Sequence, residues 1–281
     1  MTTNRDVVEA HYRAEADTQG LSPSSTMPDN IVRNKEIEAV RAYLRVLSPD
    51  PSVRTLEIGC GNGLLLSVLH DDHPSNRYWG IDSTPEMVEL ARSRRIPNVE
   101  ILRDDVSSLS FDDASFDIVV SERVIINLLD AEDQDRAFAE VARVLAPGGW
   151  FICIEGFQSP LANLNGARLE LALPRIEPPY HNRWFSDDDW ARYTRGRFEV
   201  ICPSAIAQGE ALAEPNFLST HYFVTRVFHE LIRPEGGEVR NTQFGRFFSS
   251  VLPVFGDYAP VKLFALRKSD PADTNRPLVP G

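Results

Sequence analysis

Cysteine is scarce, cationic runs are absent and no apolar stretch is long, and each shortage removes a class of function. The three cysteines in 281 residues, Cys60, Cys153 and Cys202, are too few and too scattered for a disulfide framework or a zinc site. Cys60 lies in a glycine-rich stretch and the other two inside apolar runs, so all three are expected as buried free thiols in a reducing cytosol. No apolar run approaches the roughly 20 residues that a membrane span needs. The opening residues, MTTNRDVVEAHYRAEADTQG, lack the apolar core of a secretory leader, which gives the expectation of a cytoplasmic protein with no membrane partner. A formal net charge of −12 with no lysine or arginine run speaks against a nucleic-acid partner. There is no internal repeat, no metal-ligand cluster and no visible pair of nucleophile and base.

What is present suits a soluble α/β chain. Hydrophobic residues make up 42% and charged residues 25%, an ordinary balance, and the length allows one large domain or two small ones. Apolar runs bounded by turn signals predict strands at 53–58, 77–81, 99–102, 116–121 and 150–155, with two more at 195–202 and 261–267. Helical periodicity predicts helices at about 63–71, 85–94 and 131–145. Asp130 or a polar neighbour is placed to cap the last of these, and APGGW stops it. Strands alternating with helices favour a parallel sheet with crossover helices. The helix NKEIEAVRAYLRVL precedes the first strand, LNGARLELAL is helical, and FLSTHYFVTRVFHELI (217–232) reads as a covering helix. The polar, proline-rich end, SDPADTNRPLVPG, is expected to be disordered.

The stretch LEIGCGNGLLLSVL (56–69) runs from a buried strand through Gly59, Gly61 and Gly63 into a helix. That context lets a backbone press against a ligand. The spacing is G-x-G-x-G; a dinucleotide fold wants a glycine at position 64, which is Leu, and no G-K-S/T follows to make a P-loop. The next strand ends in YWGIDSTPEM and puts Asp82 at a carboxyl edge about twenty residues on, where a carboxylate accepts hydrogen bonds from both hydroxyls of a ribose. RDDVSSL offers Asp105 at the corresponding edge of the third strand, to read the amino edge of an adenine, with Val106 packing on the ring. Glu57, two residues before the first glycine, either orients the loop backbone or binds an ammonium group. Gly63 is suited to close helix packing, and Asp104 reads as a solvated neighbour.

These residues, in this order, resemble the class I S-adenosylmethionine-dependent methyltransferases. LEIGCGNG resembles their first motif, GIDSTPEM the second-strand acid, RDDVSSLSFDDASFDIVVS the third and fourth strands, and RVLAPGGWFICIEG the fifth. The likeness covers roughly residues 50–156, and more loosely the last two strands. It implies a Rossmann-like, seven-stranded, mostly parallel sheet sandwiched by helices, with an N-terminal and a late-insertion helical lid. The implied division is a helical cap over 1–48, a methyltransferase domain over 49–268 with insertions at about 157–194 and 203–260, and a disordered tail over 269–281. The implied cofactor is S-adenosyl-L-methionine, held by Glu57, Gly59, Gly61, Asp82, Ser83, Asp105 and Val106. Ser121 and Glu122 match the place just past the fourth strand that lies near the methionine portion. In the N-terminal lid, Arg33 is expected to neutralise the cofactor carboxylate and Tyr12 to meet its methionine end.

For the second substrate, the rule that ligands bind outside the carboxyl ends of strands points to Asn127 and Glu155. Asn127 serves equally as a turn residue. PPYHNRW (178–184) adds Asn182 and His181, the latter a candidate base for a hydroxyl or amine. His221 and Tyr222 on the covering helix are weaker candidates for the acceptor pocket. The expected reaction is in-line methyl transfer to a small-molecule acceptor, an oxygen or nitrogen nucleophile, by a monomer or homodimer. One alternative is the same fold using S-adenosylmethionine itself as substrate, by cyclisation or cleavage that releases methylthioadenosine. A non-catalytic scaffold and an NAD-dependent dehydrogenase are the other rivals.

Overall fold

A computed structural model describes residues 3–48, 52–237 and 240–269. In chain order its elements are α1 (Asn4–Gln19), α2 (Asn30–Leu47), β1 (Arg54–Ile58), α3 (Leu64–Asp72), β2 (Arg77–Asp82), α4 (Pro85–Ser93), β3 (Val99–Arg103), β4 (Phe116–Glu122), α5 (Ala131–Val144), β5 (Leu145–Gly156), α6 (Gln158–Glu170), α7 (Asp187–Thr194), β6 (Phe198–Ile201), α8 (Pro203–Ile206), α9 (Ser219–Phe223), α10 (His229–Ile232), α11 (Gln243–Val251) and β7 (Val261–Lys268). A 3-10 turn, Ile125–Asn127, follows β4, and a π-helical turn, Val224–Phe228, joins α9 to α10. The expected tail beyond residue 269 lies outside the described residues.

The seven strands form one sheet in the order β3-β2-β1-β4-β5-β7-β6. Pairings from β3 to β5 are parallel, and β7 runs antiparallel to both β5 and β6. The expected Rossmann-like sheet is therefore present, mostly parallel and covered by helices.

The sequence pattern explains the layers. Along β4 and β5, Ile118, Val120, Ile152 and Ile154 face one buried cluster with Val40, Leu44 and Leu66 of α2 and α3. The alternating residues Val119, Phe151 and Cys153 face a second cluster with Phe138, Phe185 and Tyr193. A strand buried on both faces reads as a continuous apolar run, which is why these strands are visible in the sequence. In α5, Ala137, Phe138, Val141 and Val144 fall at helical spacing and are fully buried. Cys202 departs from expectation. It is exposed, because it follows β6, an edge strand paired only with β7, whereas Cys60 and Cys153 are buried. Among the described residues no helix is long and apolar enough to cross a membrane.

Strand order reverses between β1 and β4, and register fixes what meets there. Ile58 lies beside Ile81 on one side and Ser121 on the other. The glycine loop, Asp82 and Glu122 therefore leave the sheet at the same carboxyl edge, the place where open α/β sheets bind ligands.

Candidate functional site

At that edge lies a cavity of about 390 Å3, within the usual range for a small-molecule site. Its floor is the glycine loop. Gly59 has a φ of +62° and Gly61 one of +51°, the left-handed region that glycine adopts without penalty. A Cβ on Gly59 would come within 2.6 Å of Val124 Cγ1, so a side chain has no room there. A Cβ on Gly61 would meet nothing within 4 Å, which leaves that backbone open to the cavity. Gly63 meets Ala91 of α4 closely, in keeping with a packing role.

Asp82 ties the floor to β2. Its Oδ2 accepts from the Gly61 N–H at 3.0 Å and its Oδ1 from the Thr84 N–H at 2.9 Å. Each carboxylate oxygen has two lone pairs, so both retain acceptor capacity toward the cavity. Burial pushes the Asp82 carboxyl above its ordinary pKa, while these backbone donors oppose the shift. Ser83, Asp105 and Val106 line the same end. Asp105 accepts from Ser107 N and Oγ at 2.9 and 2.8 Å through Oδ1, and pairs with Arg5 through Oδ2. Asp104 is more than a solvated neighbour: it lines the cavity and accepts from the Asp105 N–H and from Ser110 N and Oγ.

The opposite end is a cluster of charges. Arg33 of α2 donates to Glu122 at 2.8 Å, to the Ser25 carbonyl at 2.9 Å and to Thr26 Oγ1 at 2.7 Å. Four buried polar atoms there have no partner: Glu57 Oε2, Glu122 Oε1, Arg33 Nε and Ser25 Oγ, all on residues that line the cavity. Burial first, then repulsion from Glu122, pushes the Glu57 carboxyl well above its ordinary pKa. Buried polar groups are almost always paired, so unmatched acceptors beside an unmatched donor describe a site for a zwitterion. A pair of acceptors suited to a ribose at one end and a zwitterion site at the other fit a nucleoside that carries a free amino-acid group.

Helix α1 roofs the cavity. Arg5, Val8 and Tyr12, at helical spacing, face it. Ala16 is the helix's only buried residue, so α1 is held by its edges: Arg5 to Asp105, Arg13 to Glu86 at 2.8 Å, and Asn4 to Asp130 at 3.1 Å. Asp130 stands at the N-cap of α5, yet its side chain caps nothing and reaches this lid instead. Burial raises the Tyr12 hydroxyl to about 12, so it stays a neutral phenol.

Of the residues expected from sequence, Asn127 also lines the cavity. It donates to the Arg123 carbonyl at 3.0 Å and accepts from Asn182 at 2.6 Å. Asn182 thus stands behind the wall. His181 lies outside the cavity lining as well, stacked on His11 of the lid with ring centroids 3.7 Å apart. Burial, with a smaller push from His11, lowers its pKa to about 4, which makes it a poor proton acceptor.

Glu155 requires a correction. It is fully buried, and its carboxylate accepts from the Ser121 hydroxyl and from the N–H groups of Val124, Ile125 and Ile126. It holds the turn after β4 and does not face the crevice, because that turn folds back over the end of β5. His221 is likewise structural: it joins Asp29 at 3.1 Å to Ser249 at 2.7 Å, clasping the N-terminus of α2, α9 and α11.

Arg123, Val124, Leu128 and Arg5 are cavity residues that the sequence reading did not single out. The helical spacing of Arg5 and Val8 to Tyr12 is the signal that would have found the lid face. Arg123 is the one cation in the stretch SERVIINLLD, which runs from β4 to α5.

A model described as a methyltransferase domain matches residues 56–153. A 37.1 kDa protein in transposon TN4556 of Streptomyces fradiae is 35% identical over 155 residues, 52% of this chain and 44% of that protein. The phthiotriol/phenolphthiotriol dimycocerosates methyltransferase of Mycobacterium tuberculosis is 38% identical over 101 residues, 35% of this chain and 36% of the relative. The chain thus spans less than half the length of either relative. The crystal structure of the PH0226 protein from Pyrococcus horikoshii superposes with a TM-score of 0.56 at 18% identity, covering 92% of this chain and 99% of that one. Strand order, glycine loop and second-strand acid agree with that match: residues 56–153 are similar to a methyltransferase domain, and they sit on a Rossmann-like sheet.

Proposed function

We propose that this chain transfers a methyl group from S-adenosylmethionine to a small-molecule acceptor whose nucleophile is an oxygen or a nitrogen. The observation that carries the reading is the roofed cavity at the strand switch point, with four unpartnered buried polar atoms at one end and Asp82 at the other. Asp82 is assigned the ribose hydroxyls, and the Gly59–Gly61 backbone the close approach of the ligand. Ser83, Asp105 and Val106 border the adenine. Glu57 and Glu122 take the ammonium, and Arg33 the carboxylate. When bound, the cofactor supplies an electrophilic methyl with a neutral thioether as leaving group.

The protein's work is then alignment and exclusion of water. Helix α1 closes over the reacting groups, Tyr12 and Asn127 border the acceptor, and Asn182 fixes Asn127. His181 supports the lid through His11; its low basicity argues against a proton-abstracting role. Residues 1–48 act as the cap and 49–268 as the catalytic domain; among the described residues, none of 157–194 or 203–260 lines the cavity, so its roof is the N-terminal helix α1. A cavity roofed by α1 and a net charge of −12 favour a small acceptor over a nucleic acid.

Mass spectrometry of the nucleoside after incubation with S-adenosylmethionine tests the reaction. S-adenosylhomocysteine that accumulates only with an added acceptor supports methyl transfer. Methylthioadenosine formed without any acceptor would mean that the cofactor is itself the substrate.

A further inference from the structure

Arg123 is held in an unusual backbone state at the cavity wall. Its φ is +57°, a left-handed conformation that costs a non-glycine residue about 1 kcal/mol or more. The state is fixed from both sides: its N–H donates to the Ile154 carbonyl at 2.7 Å, and its carbonyl accepts from Asn127. The side chain is nearly buried and lines the cavity. A guanidinium carries five N–H donors. The one side-chain bond Arg123 makes is to Glu36, which is fully buried on α2. Among the described residues no other side-chain hydrogen bond takes up its remaining donors, and Arg123 lines the cavity.

Arg33 differs. Both its terminal nitrogens are occupied by Glu122, Ser25 and Thr26, and its Nε is buried without a partner. The two arginines therefore serve different ends. Near Arg123 stand Tyr12 and Asn127, the residues assigned above to the acceptor side. Glu36, and Glu122 at longer range, offset its charge; what Arg123 offers beyond that is directional: a planar fork of donors on a nearly buried side chain, the geometry that recognises a carboxylate.

We propose that Arg123, buttressed by Glu36, is the specificity-determining residue of the acceptor subsite, and that the acceptor presents a carboxylate to it. The inference rests on the cofactor reading of the cavity. The test titrates matched acids and amides, benzoate against benzamide and hexanoate against hexanamide, into the full chain saturated with S-adenosylhomocysteine. Wild type should bind the acids about tenfold or more tighter than the amides, the scale of a charge-assisted hydrogen bond. Glu36→Gln combined with Arg123→Gln strands no buried charge. That double variant should lose the preference while holding S-adenosylhomocysteine with little change. Arg123→Lys, which keeps the charge and loses the fork, should retain part of the preference.

Equal binding of acids and amides to wild type, or a preference that survives the double variant, overturns the proposal. Loss of S-adenosylhomocysteine binding in a double variant that still melts cooperatively gives Arg123 to the cofactor, and overturns it too. Failure of wild type to bind S-adenosylhomocysteine removes the cofactor reading itself, and the inference with it.

Discussion

Gly59 and Val124 meet where the β1 loop passes the turn after β4, so closely that a methyl group on Gly59 would overlap both γ carbons of Val124. One contact thereby joins the cavity floor to the wall that carries Arg123 and Asn127. Gly59→Ala combines this overlap with a positive φ and should destabilise the fold by about 2 kcal/mol. Adding Val124→Ala should recover part of that loss, so the two changes are non-additive in denaturant titrations. Strict additivity would mean that the loop and the turn are not in contact in solution.

Glu155 illustrates a residue whose chemistry suggests a site and whose surroundings give it another task. Glu155→Ala leaves the Ser121 hydroxyl and three backbone N–H groups without their acceptor. Unfolding in urea should show a loss of about 3 kcal/mol. Normal stability with impaired acceptor binding would return Glu155 to the substrate pocket.

His181 makes stability depend on pH. Its pKa falls from an ordinary 6.5 to about 4 in the folded protein. The unfolded chain therefore takes up the proton first, so the contribution is present above pH 6.5 and is lost as pH falls toward 4. Melting temperatures of wild type and His181→Gln should diverge above this window and converge below it. Parallel curves would mean that burial of His181 against the lid does not hold the ring neutral.

How much of this was legible in the sequence follows from the range of each interaction. Asp82 and the glycines were readable because strand, turn and helix N-terminus are local, and a parallel strand buried on both faces leaves a continuous apolar run. Glu155 and Asp130 were not, because their partners lie on other segments: the turn at 121–126 for one and Asn4 for the other. The left-handed Arg123 carries no composition signal, since nothing in the residue type announces a positive φ. In the late insertion, the single helix expected at 217–232 is interrupted by a π-helical turn, and α11, an amphipathic helix further on, was unmarked. Cys202 was misplaced because an apolar run on an edge strand looks the same as one in the sheet centre.

The central claim is that Asp82 and the glycine loop form the nucleoside end of an S-adenosylmethionine site. Calorimetric titration of S-adenosylhomocysteine into wild type and Asp82→Asn tests it most directly. The account predicts saturable binding to wild type and an affinity about ten- to a hundredfold weaker in the variant, the loss of charge-assisted hydrogen bonds to two hydroxyls. Equal affinities for the two proteins, or no binding to wild type, would contradict it.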